Sequence, residues 1–176
     1  MAEGARLLRG ALERCHGEGR PLFSANVDLE WPDEPHLALW HATTLAREHR
    51  GDGHVAILTA RGIDPCEAHL LKLAAEGNPL AIIRPYRGWV ESDWEDAAQR
   101  LSRRAWFNGA GQLTAEGRHV CEEIETATDG LASELLSYLD DGQKERLAAL
   151  LTPIAQRLME SGSIPYPNPI GVPAPA

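Results

Sequence analysis

The tightest constraint on the fold lies between Ser92 and Arg118. Ser92 reads as an N-cap with Glu95 three residues on, at capping-box distance. Trp94, Ala97, Ala98, Leu101 and Ala105 then recur at helical spacing and predict one packed face. That helix ends in Trp106-Phe107, and Asn108-Gly109-Ala110-Gly111 reads as a tight turn. Gln112-Leu113 is the expected return strand. Thr114 then caps a long helix through Val120, Ile124 and Ala127 toward Leu131. A helix, a short hairpin and a second long helix in direct succession leave few folds open.

The flanks are helical too. Leu7, Leu8, Ala11, Leu12 and Cys15 form one side of an amphipathic helix over 5–15, ended by Gly17 and Gly19. The turn-rich stretch 20–35, with Trp31-Pro32, reads as an ordered loop. A helix is expected over 34–49, a break at Arg50-Gly51-Asp52-Gly53, and a second helix over 54–60. Asp64-Pro65-Cys66-Glu67 is a helix start that carries the chain to about Glu76, ahead of Gly77. Leu80–Ile83, bracketed by Pro79 and Pro85, reads as a short strand. Leu147, Leu150, Leu151, Ile154 and Leu158 space the last helix, 143–161, for packing. The organisation expected is an N-terminal helix and loop (1–33), a central domain with dimerisation helices (34–162) and an extended proline-rich tail (163–176).

Charge bears on partners. The formal net charge is -9, and a nucleic-acid binder must neutralise phosphates with Lys and Arg. The helix opening at Ser92 carries Glu91, Asp93, Glu95 and Asp96 in its first turns, and the hairpin tip, Asn-Gly-Ala-Gly, bears no cation. The cations that remain for DNA are Arg84, Arg87, Arg100, Arg103 and Arg104. Cys15, Cys66 and Cys121 are widely spaced and form no CxxC, which is a reduced, cytoplasmic pattern. The first residues are polar and charged, so no leader is expected, and no apolar run is long enough to span a membrane.

The segment from Ser92 to Arg118, with its Leu-Thr-Ala-Glu-Gly-Arg step into a long helix, resembles the MarR-type winged helix. The strings WHATTLAREHRGDGHVAIL (40–58), RGW (87–89) and PYPNPIG (165–171) resemble an actinobacterial family of MarR-like helix-turn-helix proteins; the likeness covers about 20–172. The resemblance implies a mainly α fold, a short β-hairpin wing and long terminal helices that make a homodimer. Members of that family are longer at the N-terminus, which leaves room for a partner chain supplying that region. The actinobacterial setting suggests specialised metabolism, and the family label names no activity.

The chemistry-bearing residues concentrate in Glu48-His49-Arg50-Gly51-Asp52-Gly53-His54. Acid, imidazole and guanidinium groups in this pattern suit general acid–base work by Glu48, His49, Asp52 and His54, with Arg50, His41 and Trp40 holding an anionic small molecule. His41, His49, His54 and Asp52 match no standard zinc spacing, so no metal is expected from them, and the sequence names no cofactor. The same residues also suit a plain helix end, with Gly51 as C-cap, Asp52-Gly53 as a turn and Glu48 paired to Arg50. Three functions stay open: a small-molecule or catalytic component on a winged-helix scaffold, a DNA-binding regulator, and a subunit completing a partner's site.

Overall fold

The computed structural model describes residues 1–165, 168 and 170. Most of the proline-rich tail therefore lies outside the described residues. The chain divides into two compact units. The first contains Met1–Ala56 and Ala127–Ser163; the second contains Ile57–Thr126.

The first unit is built on α1 (Ala2–Leu12), α2 (Pro21–Val27), the N-terminal part of α3 (Pro35–Ala60), the C-terminal part of α6 (Ala115–Ser137) and α7 (Asp141–Glu160). Its core joins Leu8, Leu12, Phe23, Leu45, Leu135 and Leu147. Asp140 caps α7 by accepting from Gln143 N (2.8 Å), and Gln143 returns the bond to Asp140 N (3.0 Å).

Two expectations fail here for one reason. The loop expected over 20–35 contains α2, and the break expected at Arg50-Gly51-Asp52-Gly53 is absent because α3 continues through it. A seven-residue helix is not stable alone. This one starts at Pro21, whose fixed φ suits the first helical position, and Asp52 Oδ2 accepts from Phe23 N at 2.8 Å. The carboxylate that suggested a turn thus caps another helix. Gly53 stays helical because the crossing is tight. A Cβ there would lie 3.2 Å from Arg20 Nη1 and 3.4 Å from Leu131 Cβ. Tertiary contact overrides the local cost of glycine in a helix, about 1 kcal/mol each.

The second unit contains α4 (Pro65–Glu76), α5 (Glu91–Arg103) and the first part of α6. The start of α4 forms as expected: Asp64 Oδ1 accepts from Glu67 N (2.8 Å), and Glu67 Oε2 accepts from Asp64 N (3.0 Å). Gly77 ends it at φ 68°. Leu80–Ile82 is a 3-10 turn, not a strand, and a second such turn follows at Arg84–Tyr86. Pro79 and Pro85 cannot donate to a ladder, and no neighbouring strand exists among the described residues. Helix α5 begins earlier than expected, with Asp93 Oδ2 accepting from Val90 N (2.8 Å) in place of a Ser92 cap.

The expected two-stranded wing is also corrected. Between α5 and α6 the described residues hold a single antiparallel bridge, Phe107 to Leu113. The turn curls on itself instead. Asn108 Oδ1 accepts from Ala110 N (2.9 Å) and Gln112 N (3.0 Å), which takes up amides a ladder would need. The start of α6 explains the Leu-Thr-x-x-Gly pattern. Thr114 Oγ1 accepts from Gly117 N (3.0 Å), Thr114 N donates to Trp106 O (2.9 Å), and a Cβ on Gly117 would fall 2.2 Å from Trp106 O.

Candidate functional site

Within the first unit, three segments far apart in sequence bring polar side chains together. Cys15 follows α1, His49 lies on the buried face of α3, and Glu134 lies on α6. Cys15 Sγ, an imidazole nitrogen of His49 and a carboxylate oxygen of Glu134 all lie within 4.8 Å of one another. His49 is 1% exposed, with Nε2 3.1 Å from Glu134 Oε2 and its ring edge-on to Phe23. Glu134 Oε1 accepts from His16 N (3.1 Å) and Tyr138 Oη (3.2 Å) and pairs with His16 Nδ1. His16 is largely exposed, so the cluster opens to solvent on that side.

The electrostatics follow from these partners. Burial alone raises the Glu134 carboxyl, but hydrogen bonds from His16 and His49 prevail and hold it at about 2. Burial and the adjacent Glu134 charge push the Cys15 thiol up to about 11. Burial and the Arg20 cation push His49 down, with Glu134 opposing, while Glu134 raises His16. Arg20 itself is buried, donating to His49 O and to Leu131 O (3.0 Å). The set is one ionised carboxylate, one neutral imidazole and one protonated thiol, their ligand atoms within 4.8 Å of one another.

The other candidates of the 48–54 segment have separate partners. Asp52 caps α2. Glu48 pairs with Arg47, Arg50 with Asp129 (3.0 Å), and His54 Nδ1 meets Thr128 Oγ1 at 3.0 Å. Trp40 is 69% exposed, and His41 packs edge-on against Trp31. Trp40 and Arg50 are ten residues apart on one helix, roughly 15 Å along its axis. They do not line one pocket. Of the sequence candidates, only His49 joins the cluster. Cys15, His16, Glu134 and Tyr138 carry no local signal of a site, because the contacts that gather them span up to 118 residues, as between His16 and Glu134.

In the second unit four of the five candidate arginines are bonded within the protein, while Arg103 is exposed. Arg100 bonds Glu67 Oε1 (3.0 Å), whose side chain is 1% exposed, and pairs with Asp64, tying α5 to the start of α4. Arg84 pairs with Glu91, and Arg87 Nε donates to His69 Nε2 (3.0 Å). Arg104 donates to the carbonyls of Arg61 (3.4 Å) and Gly62 (2.5 Å). The exposed face of α5 carries Ser92, Glu95, Asp96, Gln99, Ser102 and Arg103. Its last turn borders an open groove of about 460 Å³ against Phe107, Asn108 and Gly109.

A model of a helix-turn-helix family matches residues 1–165. The chain belongs to that helix-turn-helix family. No curated protein and no solved structure matches it. Among the described residues of this helix-turn-helix protein, no helix is long and apolar enough to cross a membrane. The family carries a DNA-binding type of fold, and α4 and α5 are the paired helices of the second unit that precede α6. Around that pair, residues 57–126 hold eight Lys and Arg against eleven Asp and Glu.

Proposed function

We propose that this helix-turn-helix protein binds a small ligand or ion in its first unit, with the helix-turn-helix unit as scaffold and not as a stand-alone grip on duplex DNA. The observation that carries this reading is the convergence of Cys15, His49 and Glu134 from three segments around a buried imidazole. Buried groups with shifted acidities and complementary charge favour a binding or reactive site. Their counterpart is the α5 face, where Glu95 and Asp96 would confront phosphates and Arg100 is already tied to Glu67. The segment 48–54 then supports the site: His49 takes part in it and Asp52 fixes α2 beside it.

The test has two arms. Sheared genomic DNA is passed over the protein at physiological salt and the retained fragments are sequenced; no enrichment is expected. Protein isolated from its native host is denatured, and released ions and small molecules are measured for wild type and Glu134→Gln. One bound species per chain, absent from Glu134→Gln, is expected. Sharp DNA enrichment with nothing released would sink the reading.

A second reading, a MarR-like regulator acting as a homodimer, draws support from family membership and from Gln99, Ser102 and Arg103 beside the groove. Exposed Leu136 on α6 and Leu158 on α7 would suit a dimer seam. It expects enriched sites that Arg103→Ala weakens, and twice the chain mass in light scattering.

A further inference from the structure

We propose that Cys15, His49 and Glu134 form a three-ligand site for a divalent transition-metal ion of the zinc class, with a fourth position open to water. The proposal rests on the reading of this cluster as the ligand site and names what it binds.

Geometry comes first. Tetrahedral zinc, with bonds of about 2.0–2.3 Å, sets its ligand atoms about 3.3–3.8 Å apart. The three donors here already lie within 4.8 Å, and the His49–Glu134 pair stands at 3.1 Å. Closing such a gap takes side-chain adjustments of about 1 Å, not a change of fold. Chemistry agrees. A thiolate, an imidazole and a carboxylate are the zinc donor types, and mixed sulfur and nitrogen donors disfavour magnesium and calcium, which take oxygen. One thiolate and one carboxylate neutralise a dication.

The surroundings resemble those of ligands held in place by a second layer of bonds. Glu134 is oriented by His16 and Tyr138, and Arg20 holds the backbone at His49. Arg20, Arg14, which lies over the Tyr138 ring, and the protonated form of His16 are the cations nearby; Glu18 and Asp52 are the further carboxylates. Arg20 opposes a cation electrostatically, but its charge is engaged by two carbonyls.

Binding carries a defined proton count. A cysteine binds zinc as the thiolate, so Cys15 must give up its proton on binding. The Sγ–H bond breaks, the Sγ–metal bond forms, and one proton passes to water. Apparent affinity therefore rises with pH as protons compete less for the sulfur.

The test uses the full chain stripped of metal with a chelator. Zinc is titrated against a chromophoric chelator at several pH values, and cobalt(II) is added separately to read thiolate coordination. Expected are one zinc per chain, about one proton released, and a thiolate-to-cobalt charge-transfer band. Cys15→Ser should abolish that band, and Cys15→Ser and Glu134→Gln should each weaken zinc at least tenfold. Circular dichroism checks that both variants stay folded. His16→Ala, which alters only an orienting group, should cost about 10–100-fold. Wild type that retains no zinc, or variants that bind it equally, would overturn the proposal. An organic molecule released from native protein would then leave the ligand reading standing without the metal.

Discussion

Two glycines on one helix should respond to alanine with opposite signs. Gly117 and Gly130 both lie in α6, and helix propensity alone predicts that each Gly→Ala change stabilises by about 1 kcal/mol. At Gly130 nothing lies within 4 Å of a built Cβ, so that gain should appear undiminished. At Gly117 the new Cβ would stand 2.2 Å from Trp106 O and 2.9 Å from Leu113 Cδ2. Ordinary contact requires the helix start to retreat by more than about 1 Å. That movement breaks the Thr114 N to Trp106 O bond, worth about 1 kcal/mol, and loosens the Thr114 cap, worth about 1 kcal/mol more. Displaced packing around Leu113 adds about 1–3 kcal/mol. Set against the propensity gain, Gly117→Ala should lose about 2–4 kcal/mol. Urea unfolding followed by circular dichroism and tryptophan fluorescence reads both variants. If Gly117→Ala proves as stable as Gly130→Ala, the steric account of the Leu-Thr-x-x-Gly step is wrong.

Other outcomes follow from the same contacts. Arg100→Ala leaves the buried Glu67 carboxylate without its cation and should cost roughly 2 kcal/mol in urea, so any loss of DNA retention in this variant must be corrected for unfolding. Ala105 holds φ 59°, a region L-residues resist, and Ala105→Gly should raise the melting temperature, by about 1 kcal/mol of stability. Asp52→Ala removes the bond to Phe23 N and should cost about 1–2 kcal/mol by thermal unfolding. Because Glu134 is held at about 2 against an ordinary 4.5, its contribution is complete above pH 4.5 and drains away as pH falls toward 2. His49 is lowered from 6.5, so it too loses stability as pH falls below 6.5; His16 is raised, and its contribution, full below 6.5, fades as pH climbs through its folded value. Acid titration should show a larger loss between pH 4.5 and 2 in wild type than in Glu134→Gln, with the loss from His49 below pH 6.5 common to both.

Local signals were legible where local chemistry decides. Asp64-Pro65 and Glu67 announce α4, and Thr114 with Gly117 announces α6, because capping partners lie three residues apart. The unbroken α3 was not legible, since Gly51 and Gly53 signal a stop in isolation and only Arg20 and Leu131 make smallness useful there. Helix α2 was hidden for the same reason: its cap comes from Asp52, 29 residues on. The cluster was half legible. His49 stood out by composition, but Cys15 looked like an ordinary apolar position of α1, and Glu134 like a surface acid on a charged helix. Only the packing of α1, α3 and α6 in one core brings them together.

The clasp between Asp52 and the start of α2 also bears on when that helix forms. Phe23 N has no bond available until α3 and the Arg20 anchor on α6 are in place. Its amide hydrogen should therefore exchange with solvent only when the whole first unit opens. Most amides of so short a helix would fray. Phe23 would then time the unit's global opening from within one of its smallest elements.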